Sequence, residues 1–385
     1  MPPARVYLDY NATAPVRPEV RRAITSLLLG SDDDPRAPLG NASSIHWAGQ
    51  RARRHLEQAR ATIAARAGRR ASEVIFTSGG TEADHLALHG VVDGAPTAPR
   101  RVAISAVEHP AVREAARALA ARGVDVVTLP VSRSGALDLD ALAEAIARGL
   151  ALVSVMAVNN ETGVVHPIEA IHALTRAAGV PLHVDAVQAA GRVPVPFDVE
   201  LLTLSGHKLG GLLGSGVLLT RKALTLAPQL RGGPQERGLR AGTEPVALHA
   251  AHALALAHTL DAEPIEAPRI RALRDRLERG LLAAIDGLTI VGADGPRVGN
   301  TTLALVDGVE AEVLLAALDL DGLACSSGSA CSSGSLEPSP VLLAMGYTPA
   351  AARSAIRFSL GWASSEADVD AALERVPAIV RRLRG

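Results

Sequence analysis

The sequence predicts an α/β protein: a large domain on a mostly parallel, seven-stranded sheet, joined to a smaller α+β domain. Three observations carry this. At 385 residues the chain is longer than one hydrophobic core usually supports. From about residue 72 to residue 219, short apolar β-rich runs alternate with segments of helical spacing, the pattern of strands joined by helical crossovers. Past residue 264, further strand-like and helical stretches make up a second, smaller unit.

In chain order, Val6-Tyr7-Leu8 is strand-like. Seven sheet runs follow at Val74–Phe76, Val102–Ile104, Val124–Leu129, Leu150–Val155, Leu182–Val184, Leu201–Leu204 and Val217–Leu219. Ala111–Arg122, Leu139–Arg148 and Ile168–Ala178 place good helix formers at helical spacing and supply the crossovers that parallel strands need, each expected to be right-handed. An alanine-rich helix at about Val246–Leu260 runs into Asp261-Ala262-Glu263-Pro264, the expected exit from the large domain. The rest holds strands at Leu288–Val291, Thr301–Val306 and Ile356–Leu360 and helices near Glu310–Leu318 and Glu366–Arg382. These place the large domain at residues 14–261 and the small one at 1–13 and 262–385. Within the latter, Cys325–Ser335 is almost entirely Ser, Gly and Cys, so about 325–337 is expected to be a mobile loop without an apolar anchor.

Composition excludes several classes. The net charge is −1 with no basic tail, and only 2% of residues are aromatic, which argues against direct nucleic-acid binding. The N-terminus lacks the apolar segment of a secretory signal, and no run reaches the roughly 18 apolar residues of a membrane span, so a cytoplasmic protein is expected. Two cysteines, Cys325 and Cys331, cannot build a disulfide framework.

Chemistry is signalled by what the chain avoids. Lysine occurs only at 208 and 222, arginine supplying the remaining basic charge. A guanidinium stays protonated, whereas an amine of lowered pKa can condense with a carbonyl. Lys208 lies in Ser205-Gly206-His207-Lys208, and Asp185 ends an apolar run, where an enzyme using pyridoxal 5′-phosphate (PLP) needs an anion for the ring nitrogen. Taken singly, a surface lysine and a capping aspartate explain these residues as well. Ser78-Gly79-Gly80-Thr81 stands between a strand and a helix expected to open at Glu82, an arrangement suited to phosphate or to plain capping. His109, Asn160 and Gln188 also follow strands, at the edge where open α/β sheets hold ligands.

Together the motifs resemble the cysteine desulfurases of the NifS/IscS family, among the fold type I, class-V aminotransferase-like PLP enzymes. The resemblance runs through Tyr7–Thr13, Gly40–Ser44, Thr77–Glu82, Glu108-His109, Asn159–Glu161, His183–Asp185, Ser205–Lys208, Arg240–Thr243, Gly328–Cys331, Leu336–Ser339 and Ile356–Gly361. It implies that Lys208 carries PLP, Asp185 pairs with the ring nitrogen, Gln188 bonds the ring hydroxyl and His109 stacks on the ring. Gly80, Thr81, Ser205 and His207 would bind the phosphate, with Thr243 arriving from the partner subunit of a homodimer. Asn160, beside the cofactor, and Arg357 would hold the carboxylate of L-cysteine. Lys208 or His109 would move the Cα proton, and the Cys331 thiolate would take the sulfur as a persulfide, leaving alanine, for delivery to a sulfur-acceptor or iron–sulfur scaffold protein. Cys331 is also a candidate ligand for a transient iron–sulfur cluster.

Some residues depart from the family pattern: His85 stands where asparagine is common, Leu212-Leu213 replaces a frequent Pro-Lys, and the chain ends at Gly385, short of the docking tail many members carry. Cys325, following Leu323-Ala324, is expected to be a packed small residue. The rival readings are a selenocysteine lyase or another aminotransferase of the same fold, and a non-enzymatic sulfur carrier using the two cysteines alone.

Overall fold

The computed structural model describes residues 5–29, 39–95, 97–328 and 337–385. Its strands are β1 (Val6–Tyr7), β2 (Val74–Thr77), β3 (Arg101–Ser105), β4 (Asp125–Leu129), β5 (Leu152–Ser154), β6 (Leu182–Asp185), β7 (Leu201–Ser205), β8 (Gly216–Thr220), β9 (Leu288–Ile290), β10 (Thr301–Val306), β11 (Leu323–Ala324) and β12 (Ala355–Ser359). All seven expected runs enter one sheet, ordered β2-β8-β7-β6-β5-β3-β4. The pairs among β3 to β7 are parallel, and β8 runs antiparallel to β7 and β2. The reversal has a simple cause: only residues 206–215 join β7 to β8, fewer than the roughly dozen residues of a parallel crossover.

Successive residues of a strand point to opposite faces, and both faces of this sheet are covered. In β2, Phe76 packs toward helices Trp47–Arg66 and Val246–Ala284, while Ile75 joins the other side, under helices Gly80–Gly94 and Pro110–Ala120. Leu202 and Leu204 of β7 share the face of Phe76; Leu201 shares that of Ile75. Each fully buried side chain of this kind contributes about 1.5–3 kcal/mol. The result is a rigid platform whose strand ends cannot drift, which is what a site built on those ends requires.

Two local expectations are corrected. The helix after β2 opens at Gly80, two residues before Glu82. The alanine-rich helix does not end near Leu260 but continues to Ala284, with Pro264 and Pro268 inside it. Each proline removes a hydrogen bond, but packing on either side overrides that loss. Upstream, Ala251, Ala255 and Leu256 enter the core of the large sheet; downstream, Ile270, Leu273, Leu277 and Leu281 enter a second core. Between the prolines, Glu266 receives a two-pronged ion pair from Arg17, at 3.0 and 2.7 Å.

The second core lies against the antiparallel sheet β12-β10-β9 and the final helix, Glu366–Arg384. β1 pairs in parallel with β11, Val6 opposite Leu323, and a bridge joins Asp9 to Ser359. The start of the chain is thereby threaded past β12. Cys325 directly follows β11, is half-buried and packs against this core, as its apolar context suggests. Among the described residues no helix is long and apolar enough to cross a membrane.

Candidate active site

A cavity of about 340 Å³ opens at the carboxyl ends of the parallel strands. Gly80, Thr81, His109, Asn160, Asp185, Gln188, Ser205, His207, Lys208 and Arg357, taken from six separate stretches of the sequence, all line it. Two expected residues are not part of it. Thr243 is exposed and lies outside this cavity, and Cys331 falls outside the described residues, as does most of its loop.

Lys208 sits in the single turn Gly206–Leu209 that directly follows β7. Its Nζ donates to the carbonyl oxygens of Asn11 at 2.6 Å and Ala12 at 2.8 Å. Across the cavity, Asp185 ends β6, and its Oδ1 accepts the Val187 N–H at 3.0 Å. Burial pushes the Asp185 pKa up to about 6, against the lowering effects of that hydrogen bond and of Lys208. A second carboxyl, Asp84, lines the same cavity, with one oxygen that has no hydrogen-bond partner among the described residues. Its pKa is pushed well up by burial and by Asp185.

The raised Asp185 pKa has a measurable consequence. Between about pH 4 and pH 6 the folded chain binds this proton more tightly than the unfolded chain, so stability falls as pH rises through that window. The ionised carboxylate therefore costs the ligand-free protein about 2–3 kcal/mol at neutral pH. Asp185→Asn is expected to melt higher than wild type above pH 6 and to converge with it toward pH 4. Equal melting temperatures across the series would show that no strain resides there.

The two cavity histidines, His109 and His207, are neutral. His109 caps helix Pro110–Ala120, its Nδ1 accepting the Ala111 N–H at 3.2 Å. Burial, then Lys208 and Arg113, hold its pKa down to about 4, so at neutral pH the ring proton is on Nε2. His207 is pulled down to about 4 by burial and Lys208, with Nδ1 3.2 Å from the Thr13 hydroxyl.

Gly80 and Thr81 form the first turn of helix Gly80–Gly94, where free N–H groups and the helix dipole favour an anion. Glu82 is withdrawn from that position by the Ser78 N–H at 2.8 Å and by Arg240 at 2.8 Å. Gly216 of β8 lets the preceding loop approach closely: a Cβ there would lie 2.3 Å from the Gly79 carbonyl. On the opposite wall Arg357 of β12 is only 2% exposed. Its Nη2 donates to Asp9 at 2.7 Å and Nη1 to the Asn160 carbonyl at 2.9 Å, and among the described residues its Nε has no partner.

Sequence reasoning missed the roles of Asp9, Asn11 and Ala12. They lie within the Tyr7–Thr13 motif, but nothing local shows that Asp9 meets Arg357 or that the Asn11 carbonyl meets Lys208. Asp84, Met156, Val187 and Gly328 were also missed as cavity residues. Only Asp84 had a signal, a charge at helical spacing with the apolar Ala87, Leu88 and Val91 of its own helix face.

Residues 6–372 match the family model described as Aminotransferase class-V. An IscS-like cysteine desulfurase from Mycobacterium tuberculosis is 42% identical over 389 residues, covering 98% of this chain and 97% of that one. The cysteine desulfurase NifS of Azotobacter vinelandii is 40% identical over 385 residues, covering 99% and 94%. Among solved structures, a NifS-like protein from Rickettsia africae superposes with a TM-score of 0.87 at 31% identity, over 98% of this chain and 99% of that one. With residues 6–372 matched by the family model and nearly all of its length shared with such relatives, the chain belongs to the class-V aminotransferase family of fold type I, PLP-dependent enzymes, and within it to the NifS/IscS cysteine desulfurases.

Proposed function

We propose that this enzyme converts L-cysteine to L-alanine with PLP held at Lys208, and that the sulfur leaves as a persulfide on Cys331. The observation that carries this reading is the convergence on one cavity of an amine, a buried carboxyl, an anion-binding helix start and a buried guanidinium with a spare N–H. PLP fits those residues group by group. Its aldehyde suits Lys208, its ring nitrogen the desolvated Asp185, its ring oxygen Gln188, and its phosphate the Gly80-Thr81 turn with Ser205 and His207. The orphaned Arg357 Nε suits the substrate carboxylate, with Asn160 beside it.

Bound there, PLP supplies an electron sink for charge developing at the Cα of an amino acid. The chain's residues do the rest. Arg357 and Asn160 hold the carboxylate and orient Cα. Lys208 can take and return a proton at Nζ, and His109 can give one at Nε2. The Cys331 thiolate attacks the substrate sulfur: an S–S bond forms as the Cβ–S bond breaks, the electron pair of the broken bond passes to Cβ, and protonation there completes the methyl group of alanine. Gly328 lines the cavity, and Cys331 is three residues further along the chain, a tether of at most about 11 Å.

The persulfide then serves a sulfur-acceptor or iron–sulfur scaffold protein in the cytoplasm. The exposed Thr243, outside its own chain's cavity, suits a homodimer in which it completes the partner's phosphate site. The test is an assay of the PLP-loaded protein with L-cysteine that follows alanine and protein-bound persulfide together. Equal amounts in the first turnover are expected; alanine without persulfide would sink the proposal.

A further inference from the structure

Gln188 and Arg192 stand four residues apart in the consecutive turns after β6, closed by Ala189 N–H to Ala186 and Arg192 N–H to Ala189, so their side chains meet. Gly191 fixes that turn. Its φ is +76°, and a Cβ would lie 2.3 Å from Cγ2 of Thr259 in the long helix, so the close packing there excludes a side chain. Arg192 Nη1 donates to the Gln188 carbonyl at 3.1 Å and to the side-chain oxygen of Gln188. The side-chain nitrogen is thereby left to face Asn11, whose carbonyl it meets at 3.1 Å. Gln188 is buried in the wall of the active-site cavity, and Arg192 stands behind it, beside a separate void of about 40 Å³.

Among the described residues Arg192 makes no ion pair, and burial, then Arg357, pulls its pKa down to about 9. A flipped Gln188 amide would set NH₂ against a guanidinium, donor against donor, leaving Arg192 only the Gln188 main-chain carbonyl. The cation therefore selects one amide orientation. We propose that Arg192 is a positioning residue of the active site: it fixes the Gln188 amide with its nitrogen toward the cavity, so that an oxygen placed there meets only a donor and is held as an anion. A donor beside that oxygen and a cation one side chain away both favour its deprotonated form. The inference rests on the reading that the PLP ring oxygen lies against Gln188.

The test compares the ligand-free protein and its Arg192→Met variant in binding PLP and 3-deoxypyridoxal 5′-phosphate, which lacks the ring oxygen. Arg192→Met is expected to weaken PLP about tenfold while leaving the deoxy analogue within about twofold. The pH midpoint of the bound-PLP absorbance should rise, and Arg192→Lys should restore both readouts in part. Arg192→Gln carries the same expectation should the methionine variant fail to fold. An equal loss for the two ligands would reduce Arg192 to a structural prop and overturn the inference, as would no change for either. If wild type bound neither ligand, the reading of the whole site would fall with it.

Discussion

Lys208→Ala is expected to abolish turnover of L-cysteine while the protein stays folded. The side chain is part-buried, and its removal takes a donor from the Ala12 carbonyl at a cavity wall, a cost of about 1–3 kcal/mol, while the Asn11 carbonyl keeps the Gln188 amide. That is tolerable for a chain with two large cores. Activity has no such reserve, because the proposed mechanism gives the amine two roles that no neighbour can assume. It would attach the cofactor, and it would move a proton whose catalysed transfer is worth about 10²–10⁴-fold. His109 cannot replace it as a base of comparable strength, since burial holds the imidazole pKa down to about 4. The chain supplies its own control. Lys222 is exposed and carries the only other side-chain amine, so Lys222→Ala should bind PLP and turn over cysteine as wild type does. Borohydride should fix PLP to a peptide containing residue 208 in wild type and in Lys222→Ala, and to none in Lys208→Ala. Fixation at residue 222 would break the assignment.

Which features were legible in the sequence follows from the range over which each is determined. Six of the seven strands were legible as short apolar runs covered on both faces, where burial writes a continuous signal into three to five residues; the edge strand β4 was legible from its β-branched Val126 and Val127 instead. The ligand-facing residues were legible because they end those strands: Asp185, Ser205 and His109 are placed by elements only a few residues away. Asp9, Asn11 and Ala12 were not, because their position depends on β1 pairing with β11 and on a bridge from Asp9 to Ser359, both spanning more than 300 residues. The long helix failed for a related reason. Pro264 and Pro268 are local stop signals, whereas the packing that carries the helix through them comes from the two cores it joins. Arg192 shows the intermediate case: its spacing from Gln188 is visible in the sequence, but the absence of an acidic partner, which gives it its effect, is visible only in three dimensions.

Cys331→Ser is expected to lower alanine release by about 10³-fold and to eliminate protein-bound persulfide, with PLP binding and its absorbance unchanged. The serine hydroxyl is isosteric but stays protonated at neutral pH and has little affinity for sulfur, so the Cβ–S bond has no acceptor for its sulfur atom. The nearby Cys325 tests whether any thiol in this stretch would do. Burial, then Asp9, pushes its pKa well up, so it has almost no thiolate at neutral pH, and packing against the second core holds it away from reaction. Cys325→Ser should therefore keep both alanine release and persulfide near wild-type levels, and Cys331→Ser should not be rescued by Cys325 even at alkaline pH. Persulfide that persisted in Cys331→Ser and vanished in Cys325→Ser would transfer the nucleophile to the wrong cysteine. Two thiols six residues apart are thus expected to differ in function: Cys325 is packed into a core, where ionisation is suppressed, while Cys331 lies three residues beyond Gly328, which lines the cavity.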